Sequence, residues 1–168
     1  MVPGDLEAAN SLSDALHPDF PERPEVFIER MRLFPAGCFA YEHDDSIGGY
    51  CIAHPWRRSS PPPLNRLIER IPVDATTLFV HDIGLRPARG LATLRILVDL
   101  LIGVARCHPL DTIEGVAVHG TSPIWKALGY APVCDTPLSR LVCDAYGPDA
   151  IYMRLPLLRS AGSRAGRQ

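Results

Sequence analysis

LFVHDIGLRPARGLATLRILVDLLIGVA, running from Leu78 to Ala105, decides the fold. Thr76 to Leu85 reads as a strand, and its apolar run makes it a central one. Arg86 to Gly90 is a turn, with proline and glycine as its punctuation. From Ala92 to Cys107 the spacing predicts a helix. Its polar positions, Arg95, Asp99 and Arg106 with small Gly103 between the last two, trace one narrow stripe. The remaining surface is apolar, which predicts a helix packed between layers. Thr112 to Val118 (TIEGVAV) is the next strand. Strand, helix, strand makes a βαβ unit, so the two strands should be parallel.

Upstream, Asp5 precedes an amphipathic helix that ends before Pro18. Pro18 to Pro24 is a proline-broken linker. Pro24 sits where a first helical turn accepts proline, and Val26, Phe27, Met31 and Phe34 follow at helical spacing. Cys38–Glu42 and Ile47–Ala53 read as a hairpin, with Gly48-Gly49 marking a bulge or a close approach. His54 to Pro63 (HPWRRSSPPP) is irregular, and a short helix is expected from Leu64 to Arg70. Downstream come a short helix from Ser122 to Leu128, a strand-like Ala131–Cys134, a helix near Leu138–Tyr146 and a strand at Ala150–Leu155. The tail, residues 158–168, is polar and expected to be disordered, leaving residues 1–157 as one domain.

The chain has 168 residues, 46% hydrophobic and 21% charged, with a formal charge of −2. That composition excludes a mainly disordered chain and suits one globular domain with a full core. It lacks the basic surplus of a nucleic-acid coat. No run is long enough and apolar enough for a membrane helix, and Met-Val-Pro-Gly-Asp, with no basic flank and no apolar core, gives no expectation of a secretory leader. Lys126 is the only lysine among 17 basic residues, a bias that suggests a GC-rich bacterial genome. Any phosphate site would then rest on arginine forks and backbone amides. The five cysteines contain no C-x-x-C pair, so they are read as small buried hydrophobes in a reducing cytoplasm, with no metal site.

The junction after the central strand carries the chemistry. A strand end, an Arg89-Gly90 turn and a helix start place free N–H groups and a positive helix end where an anion can sit. Thr93 adds a hydroxyl, and Arg86 or Arg89 a fork. An ordinary tight turn would look the same locally.

The order of elements, with Leu78–Ala105 and VAVHGTSPIWKALGYAPV (Val116–Val133), resembles the GNAT superfamily of N-acetyltransferases over essentially the whole of Asp5 to Leu157. The fold class this implies is α/β (α+β): a mixed, mostly antiparallel central sheet with one parallel, splayed pair, flanked by helices. It also implies an acyl-coenzyme A site, with acetyl-CoA as donor. Pantetheine would pair with backbone at Ile83, Gly84 and Leu85, and pyrophosphate with the amides from Arg89 through Gly90, Leu91 and Ala92 to Thr93. The family's turn, Arg or Gln, two residues, Gly, one residue, Gly or Ala, is not matched counting from Arg89, which puts Ala92 and Leu94 at the last two places. Alternatively the turn is two residues short and Gly90-Leu91-Ala92 supplies its end. His119 stands where the family often has Asn, and Trp125 where it often has an acidic Tyr. Tyr130 is read as core.

The reaction implied is direct attack of an amine on the thioester, with an amide near Gly84 receiving the oxyanion. A thiol with a pKa near 8.5 can leave as thiolate. Candidate bases are His81 and Asp82 on the central strand, one per face by alternation, and His54 on its neighbour. His17, His43 and His108 are read as surface residues. The loop His54–Pro63 would border the acceptor groove, with Trp56 as a wall and Arg57-Arg58 facing a carboxylate or phosphate. The acceptor would be a small-molecule or protein amine. A second reading is a catalytically degenerate coenzyme A-binding or interaction module. A third is a partner protein that forms a homodimer through its apolar βαβ surface.

Overall fold

The computed structural model describes residues 1–44, 46–86 and 90–157. Six strands form one sheet in the order β1-β2-β3-β4-β6-β5. They are β1 (Cys38–His43), β2 (Ser46–Trp56), β3 (Thr77–Leu85), β4 (Thr112–Ala117), β5 (Ala131–Pro132) and β6 (Ile151–Pro156). Only β3 and β4 are parallel; every other neighbouring pair is antiparallel. The helices are α1 (Leu6–Leu16), α2 (Pro24–Leu33), α3 (Gly90–Arg106), α4 (Ser122–Ala127) and α5 (Thr136–Tyr146). The tail from residue 158 lies outside the described residues.

Each face of the sheet has its own core. Leu78, Val80, Ile113 and Met153 pack on Leu97, Val98, Leu101 and Ala105 of α3. Tyr50 and Ile52 pack on the opposite side with Ala9 and Leu12 of α1 and Phe27 of α2. Phe79 and Tyr152 meet Leu138 and Val142 of α5. The β3–β4 crossover therefore places α3 on one face, and the two N-terminal helices cover the other.

Two irregularities shape β2 and β3. Tyr41 pairs with Gly49 and Glu42 with Ile47, so Gly48 is an inserted residue in the hairpin. A Cβ on Gly49 would stand 2.5 Å from the Leu85 side chain, so that position needs glycine for a close approach. Further along, Ile52 pairs with Asp82 but Ala53 with Val80, which leaves His81 as a bulge.

Several expectations are corrected. Leu64–Arg70 forms no helix. Its amides serve buried carboxylates instead: Asn65 N–H donates to Glu22 (2.7 Å), and Ile68 and Glu69 N–H donate to Glu29 (2.8 and 2.9 Å). Those bonds replace the helical ladder, and Asn65 and Glu69 adopt positive φ. Helix α3 lies on one face rather than between layers, since Ile96 is 62% exposed and Leu91 and Leu100 are also exposed. Cys38 and Cys51 are buried, but Cys107 and Cys134 are exposed. Among the described residues no helix is long and apolar enough to cross a membrane, and no cluster of three metal-ligating side chains occurs.

Candidate functional site

Strands β3 and β4 pair only from Thr77↔Thr112 to Val80↔Gly115. Beyond that point β3 holds only β2 and β4 holds only β6, so the sheet opens into a wedge. The Trp125 ring of α4 lies against Gly115 at the apex, where a Cβ would come within 2.7 Å of it.

The ladder phase says which groups face the wedge. The Arg86 N–H donates to the Gly48 carbonyl at 2.9 Å. Opposed pairs alternate, so Gly84 with Tyr50 and Asp82 with Ile52 exchange backbone bonds, and Ile83 and Leu85 turn their N–H and C=O groups outward. The Ile83 carbonyl indeed meets His17 Nε2 at 3.4 Å on that side. Gly84 was expected to offer its own backbone, but its amide is turned to β2. Its missing side chain matters more, since a Cβ would stand 2.5 Å from Tyr50 and 2.8 Å from Leu16.

At the mouth of the wedge, α3 starts at Gly90, whose φ of +69° lies in the left-handed region that favours glycine. Gly90, Leu91 and Ala92 open its first turn, where leading N–H groups have no partner within the helix, and Thr93 follows them. Arg89 lies outside the described residues. Arg86 spends its Nε on the Ile47 carbonyl.

A cavity of about 360 Å³ runs through the wedge from one face of the sheet to the other. Leu94, Val98 and Leu101 of α3 line it on one side, and His17, Phe20 and Tyr146 on the other.

The bulge determines the chemistry at that second end. Strict alternation would send His81 and Asp82 to opposite faces. The inserted residue puts both on the α1–α2 face, which corrects the one-per-face expectation. His81 Nε2 bonds Glu22 at 2.6 Å. Asp82 Oδ2 accepts from Ser13 Oγ (2.7 Å) and Tyr50 OH (2.8 Å), and its Oδ1 lies 3.4 Å from His17 Nε2. His119 has φ +51°, stacks on Phe20 and His17, and pairs with Asp19 at 3.3 Å. Its left-handed backbone at the end of β4 is a strained conformation of the kind found at functional sites.

Burial raises the Glu22 carboxyl, but His81, the Asn65 N–H and Arg30 outweigh it and hold Glu22 below its ordinary value. Burial, with Asp82 adding to it, pushes the Tyr50 phenol far up, so Tyr50 stays a donor. Burial and the nearby Glu22 and Asp82 carboxylates do the same for Tyr146.

His54 does not reach the cavity. It has no exposed surface, and burial first, then His81 and Arg30, hold its pKa well below the usual value. Its ring meets Trp56 edge-on and lies tilted against Phe79 and His81. The His54–Pro63 loop lines no part of the cavity either. Arg57 pairs with Asp74, Arg58 with Asp111, and Ser59 N–H donates to Glu114 at 2.9 Å. Trp56 pairs with Thr77, so this loop sits at the end of β3 opposite the wedge. Tyr130 is buried edge-on to Trp125 at 4.9 Å.

His17, Asp19, Phe20, Glu22 and Tyr146 were missed. The first four form His-Pro-Asp-Phe-Pro-Glu, which reads as a linker. Its density of ionisable and aromatic types between two helices was the available signal.

The same fold occurs in solved structures. A GphF GNAT-like decarboxylase in complex with isobutyryl-CoA superposes with a TM-score of 0.73 at 17% identity, covering 94% of this chain and 97% of that one. Ard1 from Thermoplasma volcanium gives 0.69 at 13% identity over 95% of both chains. The ribosomal-protein-S18-alanine N-acetyltransferase from Escherichia coli gives 0.63 at 16% identity, covering 99% and 96%. No family model and no curated protein matches the chain.

Proposed function

We propose that this chain, which has the GNAT fold, is an acyl-CoA-dependent N-acyltransferase that uses acetyl-CoA and a small-molecule or protein amine, with residues 1–157 as its single domain. The observation that carries the reading is the wedge: outward amides at Ile83 and Leu85 lead from the start of α3 to a cavity that crosses the sheet. The strand edge suits the amides of a pantetheine arm, and the first turn of α3 suits a pyrophosphate. His119 and Trp125 border the same channel.

A thioester donor supplies the acyl group. The chain's own work is to orient the amine, take its proton and receive the oxyanion. The outward N–H of Ile83 or Leu85 is placed for the oxyanion, in place of the Gly84 amide. Asp82, with the His17 ring beside it, and the His81–Glu22 pair hold the proton that the ammonium gives up. Tyr146 keeps its phenolic proton at the same end of the cavity and can donate a hydrogen bond to the departing thiolate, which leaves unprotonated.

Calorimetric titration with acetyl-CoA tests the reading, with Gly90→Glu as control. Wild type should bind, and the variant should lose at least about tenfold in affinity, because it sets a charge and a Cβ where φ is positive. Failure of the wild type to bind would sink the reading. A coenzyme A-binding module without turnover is the second reading, favoured by Trp125 where an acidic Tyr is usual. Binding without thiol release across an amine panel would establish it. The fold also serves a decarboxylase, so the mass of the remaining acyl-CoA should be measured as well.

A further inference from the structure

We propose that the amine accepted here is small, carries an apolar body about the size of one aromatic ring, and has no carboxylate. This inference rests on the acyl-transfer reading and names its acceptor class.

The end of the cavity on the α1–α2 face is walled by Phe20, Leu64, Phe79, Val116 and Tyr146. Its ionisable members are Glu22 and Asp82 with the imidazoles His17, His81 and His119; Asp19 stands behind His119. Among the described residues no Lys or Arg lines the cavity. Arg30, close enough to act on Glu22, is fully buried and directed to Glu29 and the Arg66 carbonyl.

An ammonium entering this end meets carboxylates and aromatic faces, both favourable to a cation. His81 fixes one of those carboxylates, Glu22, in place. Its side chain is 2% exposed, its Nε2 faces the Glu22 carboxylate, and its Nδ1 is buried without a partner.

An amino-acid carboxylate would instead be desolvated beside Asp82 with no Lys or Arg, among the described residues, to meet it. A peptide would bring backbone N–H and C=O groups, each needing a partner that these apolar walls do not supply. Volume sets the size. A dry cavity of about 150 Å³ already holds benzene. About 360 Å³, shared with the end of the donor's arm, leaves room for one ring and a short amine chain.

The test compares 2-phenylethylamine, L-phenylalanine and a tetrapeptide beginning with alanine, at saturating acetyl-CoA. The first should exceed the other two by at least about tenfold in kcat/KM. Phenylalanine or the peptide within threefold of it overturns the proposal. Calorimetric binding of the same three compounds without donor provides a readout that does not need transfer. If the order persists there while no acyl group moves, acyl transfer fails and the acceptor class stands. Equal or absent binding of 2-phenylethylamine overturns the class.

Asp82→Asn should weaken 2-phenylethylamine about tenfold, and unchanged affinity counts against the proposal. Leu64→Arg covers the case in which that variant misfolds. It supplies the missing cation and should narrow the gap to phenylalanine, and an unmoved gap overturns the charge argument.

Discussion

Thr77–Val80 and His81–Leu85 are consecutive halves of one strand with different neighbours. The first half pairs with β2 on one edge and β4 on the other. All four of its residues are buried. The second half keeps β2 and loses β4, and its side chains meet α1, the segment after it, and the cavity. Position within the sheet, more than residue type, divides scaffold from site. A bulge at the junction sets two ionisable side chains on one face, and a wedge leaves backbone groups without ladder partners. A substitution in the closed half at a position that does not line the cavity should therefore cost folding, and one in the open half should cost binding.

Leu78→Ala breaks the closed half. Leu78 has no exposed surface, belongs to the α3-facing core and does not line the cavity. Truncation leaves a hole in a packed site, so urea unfolding should show a loss of about 2–5 kcal/mol. Acetyl-CoA affinity, measured on the fraction that remains folded, should hold. A variant with wild-type stability would mean that the two halves are not distinguished by packing.

His54 opposes Phe79 in the closed half, and its effect appears with pH. Burial holds its folded pKa well below the unfolded value of about 6.5. The unfolded chain therefore binds a proton that the folded chain refuses as pH falls below about 6.5, and stability declines in that direction. One proton contributes a slope of up to about 1.4 kcal/mol per pH unit. Replacing it with a ring that cannot titrate, His54→Phe, should flatten the wild-type slope between pH 6.5 and 5.5. Unfolding curves that keep the same slope in the variant would show that His54 gains its proton inside the fold.

The closed half was legible because burial on both faces leaves a continuous apolar run, and Leu-Phe-Val is such a run. The crossover followed from the length of the apolar helix after it. The open half was legible only in its residue types. His81 and Asp82 were noticed, but alternation put them on opposite faces, because a bulge depends on register with β2 and leaves no local mark. Asn65 and Glu69 adopt positive φ because Glu22 and Glu29, some forty residues away, draw in the amides around them. Such tertiary bonds defeat helical spacing. Arg57 and Arg58 looked like anion ligands because their partners, Asp74 and Asp111, are distant in sequence. Even so, the Gly90 turn was readable, since few residues other than glycine tolerate its backbone.

Ile83→Pro sharpens the comparison most, although its expected effect is the smallest. The ladder phase turns the Ile83 N–H away from β2 and into the wedge. Proline removes that donor, yet β2 loses no bond, which is the situation in which an edge strand tolerates proline. The preceding residue, Asp82, already has the extended backbone that proline requires of it. Stability should consequently stay within about 1 kcal/mol of an Ile83→Val control, which separates the effect of the side chain. Acetyl-CoA should bind more weakly by roughly 0.5–1.5 kcal/mol, a loss of about two- to tenfold. The opposite pattern, several kcal/mol of stability lost with affinity unchanged, would mean that Ile83 bonds β2 and that the wedge offers its amide to nothing. The distinction between the two halves of β3 would then rest on side chains alone, and the site would have to be sought on the face rather than on the edge of the strand.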